Sequence, residues 1–277
     1  MSSCGRTIYI VTSCKGGIGK STVAANLAAV LAESGHRTLL IDCDFSNRSL
    51  DLILGCEDEV VYDICDLTSG RVAPDRVIMS GDRCDELFFI PAPLMNAEPF
   101  DAERFNRAVE RAADAVNAEF VFIDTPGAAD GILPIISSVA DGALIVASHQ
   151  PTSIRGAEKM GYILESQGIE RQYLIINMFD ANAVLSGERI GINELIDKTH
   201  IKLLGIIPES AGLAAEQERG RLCTDGVIVG RRRKKKISRE CREVAAAFSE
   251  TAARLTSEQL PLLGGMSSAR RRKLLYK

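Results

Sequence analysis

An apolar, β-branched run from Ile8 to Thr12 breaks into a loop with glycines at 16, 17 and 19. That loop opens a stretch of small apolar residues from Val23 to Ala32. Strand, tight turn and helix in that order leave few alternatives. Glycines remove Cβ atoms where backbone N–H groups must curl inward to face an anion. The helix that follows adds its free N–H groups and the positive end of its dipole. Lys20 reaches the β- and γ-phosphates of a nucleotide, and Ser21 presents a hydroxyl to Mg²⁺. Gly16, Gly17, Ile18, Gly19, Lys20, Ser21 and Thr22 are the expected nucleotide-binding set. A glycine turn that binds nothing is the bland alternative, and G-x-G-K-S between a strand and a helix argues against it.

Chain length and apolar content allow one large α/β domain with an ample core. At 277 residues and 46% hydrophobic, the chain has no apolar run long enough to cross a membrane. The first six residues lack the pattern of a secretory signal. Eight cysteines are scattered without a C-x-x-C pair, which suits reduced thiols in a cytosol. The net charge of −4 hides an asymmetry. Residues 1–218 hold 17 Lys/Arg against 32 Asp/Glu, and residues 219–277 hold 16 against 5. An acidic body with a basic end points to a polyanionic partner at that end, nucleic acid or an anionic membrane.

Short apolar runs alternate with longer amphipathic ones. Strands are expected near 7–12, 37–41, 87–90, 120–123, 142–147, 172–176 and 203–207. Helices are expected near 20–34, 60–68, 101–117, 131–140, 152–167, 190–198, 211–219 and 238–256. This alternation predicts an α/β fold, a doubly wound, mostly parallel sheet with helices on both faces. Ligands of such sheets bind at the carboxyl ends of the strands.

The acidic motifs fall at those ends. Thr38 to Ile41 runs into Asp42-Cys43-Asp44, and carboxylates at i and i+2 point to one side, where they suit a metal or a water. A helix-capping Asp is the alternative. Phe120 to Ile123 ends in Asp124, followed by Thr125-Pro126-Gly127. A buried strand ending in Asp about a hundred residues after a phosphate loop is the Walker B pattern, whose carboxylate holds Mg²⁺. Asn177 ends another apolar run, and as a strand-end turn residue it needs no ligand.

With Lys15 directly before the glycines, the loop reads K-G-G-I-G-K-S, which resembles the deviant Walker A motif of the MinD/ParA family of P-loop ATPases. The stretches L-D-L-I-L-G-C-E at 50–57 and V-V-Y-D at 60–63 resemble the MinD branch, over about residues 7–225. The resemblance implies an ATP hydrolase with ATP and Mg²⁺ as ligands. It implies catalytic roles for Lys15, which crosses a dimer interface to the partner's nucleotide, for Lys20, and for Asp44, which lies beside the metal and the attacking water. It further implies Ser21, Asp44 and Asp124 as metal residues, Gly127 and its neighbours as a γ-phosphate sensor, and Asn177 and Pro208 at the adenine. An electron-transfer relative such as the nitrogenase iron protein is excluded, because no cysteine lies between Asp124 and Arg221.

The expected organisation is an ATPase domain over 1–258 and a basic tail over 259–277, a candidate membrane-targeting segment. Arg231 to Lys236 are six adjacent cations, either a solvated loop or a surface for a polyanion. The tail offers charge plus Leu274-Leu275-Tyr276 for insertion into an anionic leaflet. The resemblance then implies an ATP-dependent homodimer, cytoplasmic and peripheral at the inner face of the cell membrane when ATP-bound. It likewise implies a role in division-site selection with division-inhibitor or topology-factor proteins as partners. The alternative is a ParA-like partition ATPase that holds DNA through the 231–236 cluster, with nucleic acid the less favoured partner.

Overall fold

The computed structural model describes residues 5–80, 84–94, 100–127, 131–225, 239–257 and 268–275. The Arg231–Lys236 run, Ala128, Tyr276 and the first part of the tail lie outside the described residues. In chain order the elements are β1 (Thr7–Thr12), α1 (Lys20–Glu33), β2 (Thr38–Asp42), α2 (Leu50–Leu54), α3 (Ile64–Thr68), α4 (Pro74–Val77), β3 (Met79–Ser80), β4 (Leu87–Ile90), α5 (Ala102–Ala115) and β5 (Phe120–Asp124). There follow α6 (Leu133–Ser137), β6 (Gly142–Ala147), α7 (Pro151–Ser166), β7 (Gln172–Phe179), α8 (Ala181–Ser186), α9 (Ile192–Thr199), β8 (Lys202–Pro208), α10 (Ala211–Gln217), α11 (Arg239–Thr256) and α12 (Ser268–Leu275).

The strands form one sheet in the order β3-β4-β2-β5-β1-β6-β7-β8, parallel throughout except for the two-residue edge strand β3. The seven longer strands and the doubly wound layout are as the apolar alternation predicts. Side chains alternate across the sheet with period two. Ile8 and Ile10 of β1, Leu39 and Ile41 of β2, and Val121 and Ile123 of β5 enter the core beneath α3, α5, α6, α7 and α9. Tyr9, Val11, Leu40 and Phe122 enter the opposite core beneath α1 and α11. Both faces are covered, so the central strands read as continuous apolar runs. Close packing sets one glycine: a Cβ on Gly205 of β8 would overlap Thr251 of α11.

Four short helices, α2, α4, α8 and α12, and strand β3 go beyond the expected elements. Each has fewer than three turns or three residues, too short for a period to register. The helix expected over 60–68 begins only at Ile64, because Asp63 and Asp66 close a reciprocal capping box there. Strand β7 runs three residues further than its apolar run, through Met178 at φ 53°.

Adjacent strands β1, β2 and β5 all end at one edge, with Val11 opposite Asp124 and Asp42 opposite Asp124. That register brings the phosphate loop and both acidic motifs together, although Lys20 and Asp124 are 104 residues apart.

Candidate functional site

The loop after β1 turns on Gly17 (φ 76°) and on Gly19 (φ 80°), which occupies the N-cap of α1. Side chains are strained in that left-handed region, and here there is also no room: a Cβ on Gly19 would overlap the Asn177 amide nitrogen. That nitrogen donates to the Ile18 carbonyl at 2.7 Å. Asn177 is buried at the end of β7, so it braces the loop from the neighbouring strand. Open space lies where Cβ atoms would stand on Gly16 and Gly17. Pro208 pairs with Phe179 across β7 and β8, two residues beyond Asn177.

Lys20 begins α1 and is buried, with 7% of its surface exposed. Its ammonium lies 3.0 Å from Asp124 Oδ1 and 3.5 Å from Asp44 Oδ2. Asp124 has no exposed surface, and its Oδ2 lacks a hydrogen-bond partner. Burial raises its carboxyl above the usual range, against the opposing pull of Lys20 and the Ser21 hydroxyl. Asp44 is held by its own loop: the Ser46 N–H donates to Oδ1 and the Asn47 amide to Oδ2.

The two carboxylates of the Asp42-Cys43-Asp44 motif divide their work. Asp42 Oδ1 accepts from the Asp44 N–H at 2.9 Å, and Oδ2 accepts from the Leu50 N–H at 3.2 Å. It shapes the loop from beneath, as the capping alternative anticipates, while Asp44 reaches the lysine. Burial first, then the Asp124 charge, push the Asp42 carboxyl up to about 8.

Lys15 stands apart from this cluster. It is exposed, and its ammonium donates to Gln150 Oε1 at 2.9 Å, at the N-cap of α7. The Ser13 hydroxyl donates to its carbonyl. Gly127 meets the loop from the other side, where an added Cβ would lie 3.3 Å from Gly16 Cα. Thr22, in the first turn of α1, donates to Gln217 Oε1 of α10 at 3.3 Å.

Sequence reasoning did not find Gln150, Gln217 or His149. Gln150 is legible only as the residue before Pro151, a helix-start signal. His149 is buried, its Nδ1 lacks a partner, and its ring sits 5.5 Å from that of Phe179. Burial, then Arg189, lower its pKa.

These residues fit a nucleotide and Mg²⁺. The loop leaves room above its glycines, a lysine waits on carboxylates at its far end, and one buried carboxylate oxygen is unpartnered. Among the described residues no group of three or more His, Cys, Asp or Glu forms a protein-only metal cage. Mg²⁺ is characteristically shared between one or two carboxylates, water and substrate phosphates. Here Ser21, Asp124 and Asp44 are the groups placed to contribute.

Residues 9–223 match the model of the CobQ/CobB/MinD/ParA nucleotide binding domain. The chain is 30% identical over 222 residues to the septum site-determining protein MinD of Neisseria meningitidis, covering 77% of this chain and 82% of that protein. The MinD of the MinC:MinD cell division complex of Aquifex aeolicus superposes with a TM-score of 0.81 at 32% identity, over 92% of this chain and 98% of that one. A Pyrococcus horikoshii MinD complexed with Mg-ADP shares the fold, with a TM-score of 0.75 at 22% identity over 91% and 96% of the two chains.

Proposed function

The chain belongs to the CobQ/CobB/MinD/ParA nucleotide-binding family, and on that premise we propose that it is a MinD-like, Mg²⁺-dependent ATPase of division-site positioning. The MinD reading is preferred over ParA, since the relatives reported above carry the MinD name and one comes from a MinC:MinD cell division protein complex. The observation that carries the enzymatic reading is Lys20 buried between Asp44 and Asp124, with the second Asp124 oxygen unpartnered. A site built only for shape would not bury three charges at the mouth of a glycine loop.

The residues divide the task as follows. Backbone N–H groups of 16–22 and the α1 dipole hold the phosphates. Lys20 turns from the carboxylates to neutralise the β/γ oxygens. Ser21 and Asp124 would hold Mg²⁺, which would supply charge neutralisation at those oxygens. Asp44 orients the attacking water. Asn177 and Pro208 flank the base. Lys15 leaves Gln150 and reaches the nucleotide of a second copy, so hydrolysis awaits an ATP-dependent homodimer. That dimer is cytoplasmic until it meets the inner face of an anionic membrane, and division-inhibitor or topology-factor proteins are its protein partners.

Lys15→Ala tests the reading. ATP binding to the monomer is retained, while ATP-dependent dimerisation in sedimentation and phosphate release both disappear. Normal turnover in that variant refutes the assignment. DNA remains the second reading for the surface partner, favoured by the 231–236 cations alone. ATP-dependent retention on DNA without pelleting on anionic vesicles selects it.

A further inference from the structure

Strand β7 breaks its own alternation at the end that meets the phosphate loop. Ile176 and Phe179 both enter the core beneath α7 and α9, although residues three positions apart on an unbroken strand face opposite ways. The pairing with β8 shows the cause. Ile176 lies opposite Ile206 and Phe179 opposite Pro208, so Asn177 and Met178 together oppose Ile207 alone. Two residues against one is a β-bulge, and Met178 at φ 53° completes it. Asn177 and Met178 therefore turn to the same side. The Asn177 amide nitrogen bonds the Ile18 carbonyl, and Met178 Cε lies 3.7 Å from where a Cβ on Gly19 would stand. Left-handed backbone is costly for a residue with a side chain. Met178 also leaves 40% of its surface in solvent, while Ile176, Asn177 and Phe179 are buried. Backbone strain and an exposed apolar side chain thus fall on one residue at the mouth of the site, where bulges serve to re-aim a side chain.

We propose that Met178 is a base-binding residue whose thioether packs on the face of the purine ring of a bound nucleotide. The proposal rests on the nucleotide reading above and adds what grips the base. Gly19 is the N-cap of α1, the end that receives phosphates. Met178 reaches that glycine, and in sequence it stands between Asn177 and Phe179, whose partner across the sheet is Pro208. It therefore lies between the phosphate-binding end and the two groups proposed above to flank the base. An unbranched, polarisable thioether contacts aromatic rings favourably and adapts its shape to them. Covering the exposed side chain with a ring also removes apolar surface from water on both partners. The contact recognises an aromatic face and not a hydrogen-bonding pattern, so it adds affinity for the base and none for the phosphates.

The chain has 6 methionines, few enough to follow each ε-methyl by NMR after labelling with methyl-¹³C methionine. Met178→Leu identifies the Met178 signal by its loss. In the unsubstituted full chain with Mg²⁺, ADP moves that signal upfield through the ring current of the base, and tripolyphosphate, which has no base, does not. A Met178 signal that stays in place at saturating ADP overturns the proposal. Met178→Gly supplies the second measurement, because glycine takes φ 53° without strain and the variant folds. By calorimetric titration its ADP affinity falls about tenfold, while its tripolyphosphate affinity stays within about twofold of the unsubstituted value. Equal losses for the two ligands mean a displaced loop and not a lost base contact, and they overturn the proposal. Unchanged ADP affinity in Met178→Gly overturns it as well, and ADP binding by the unsubstituted chain then leaves the nucleotide reading standing. An unsubstituted chain that binds neither ligand overturns both.

Discussion

Lys20 is expected to stabilise the nucleotide-free protein as well as bind phosphate, and a double-mutant cycle with Asp124 tests this. Its ammonium and the Asp124 carboxylate are 3.0 Å apart with 7% and 0% of their side chains exposed. Coulomb attraction at that distance is about 5.5 kcal/mol at an effective dielectric constant of about 20, and desolvation of both groups offsets much of it. Removing one partner strands the other. Lys20→Met leaves Asp44 and Asp124 without their shared cation and costs about 3–4 kcal/mol, near the range for broken buried pairs. Asp124→Asn costs less, about 2 kcal/mol, because Asp44 at 3.5 Å still faces the lysine. The double variant has no stranded partner within the pair, so the two losses fall short of additive by about 1.5–3 kcal/mol. Guanidinium unfolding followed by circular dichroism, with chelator and without nucleotide, measures all four corners. Losses that add to within about 0.5 kcal/mol mean the pair is not formed in solution, and the reasoning fails.

Asn177→Ala removes the brace on the Ile18 carbonyl and leaves that acceptor buried. Stability falls by about 1–3 kcal/mol and ATP affinity by about fivefold or more, read by fluorescent-nucleotide titration; unchanged affinity removes Asn177 from the site. His149 supplies a pH dependence. Its folded pKa is lowered, so between that value and the unfolded value of about 6.5 the unfolded chain binds the extra proton. Its contribution is complete above about pH 6.5 and is lost as pH falls through that window. His149→Gln therefore flattens the fall in unfolding free energy between about pH 7.5 and 5.5, and an identical slope in both proteins refutes the assignment.

What could be read without coordinates was local. The loop at 13–22, the strand ending in Asp124 and the strand ending in Asp42 each carry their signal within ten residues, and parallel order brings them to one edge. Helices such as α8 and α12 complete too few turns to show a period. Asn177 admits two readings in sequence, a strand-end turn residue or an adenine contact, because the residue type at a strand end does not say what stands across from it. The structure puts the Ile18 carbonyl there, 159 residues away in sequence. Gln150 and Lys15, 135 residues apart, meet for the same kind of reason. The leucines of α12 were legible as apolar and its arginines as basic. Which of the two faces α8 and α9 is a matter of tertiary apposition: Leu274 is buried there, and Arg272 and Lys273 are exposed.

The charge balance of the site explains why two lysines flank one loop. Asp44 and Asp124 converge on Lys20, and two carboxylates against one ammonium make the pocket a poor receptor for a polyanion. A phosphate group must take Lys20 from Asp124, and that exchange alone would leave a buried carboxylate unpaired. Asp124 and Ser21 would hold a divalent cation that offsets this loss, so nucleotide and metal would each raise the other's affinity by the same factor. On the proposed ATPase reading, Lys20 would then be fully engaged, with no charge to spare for a departing γ-phosphate. Lys15 is placed differently. It is exposed, and its ammonium bonds to a neutral amide, so moving it costs one uncharged hydrogen bond and no stranded ion. A lysine held that lightly at the surface is free to turn toward a second molecule, which is the role proposed for it above.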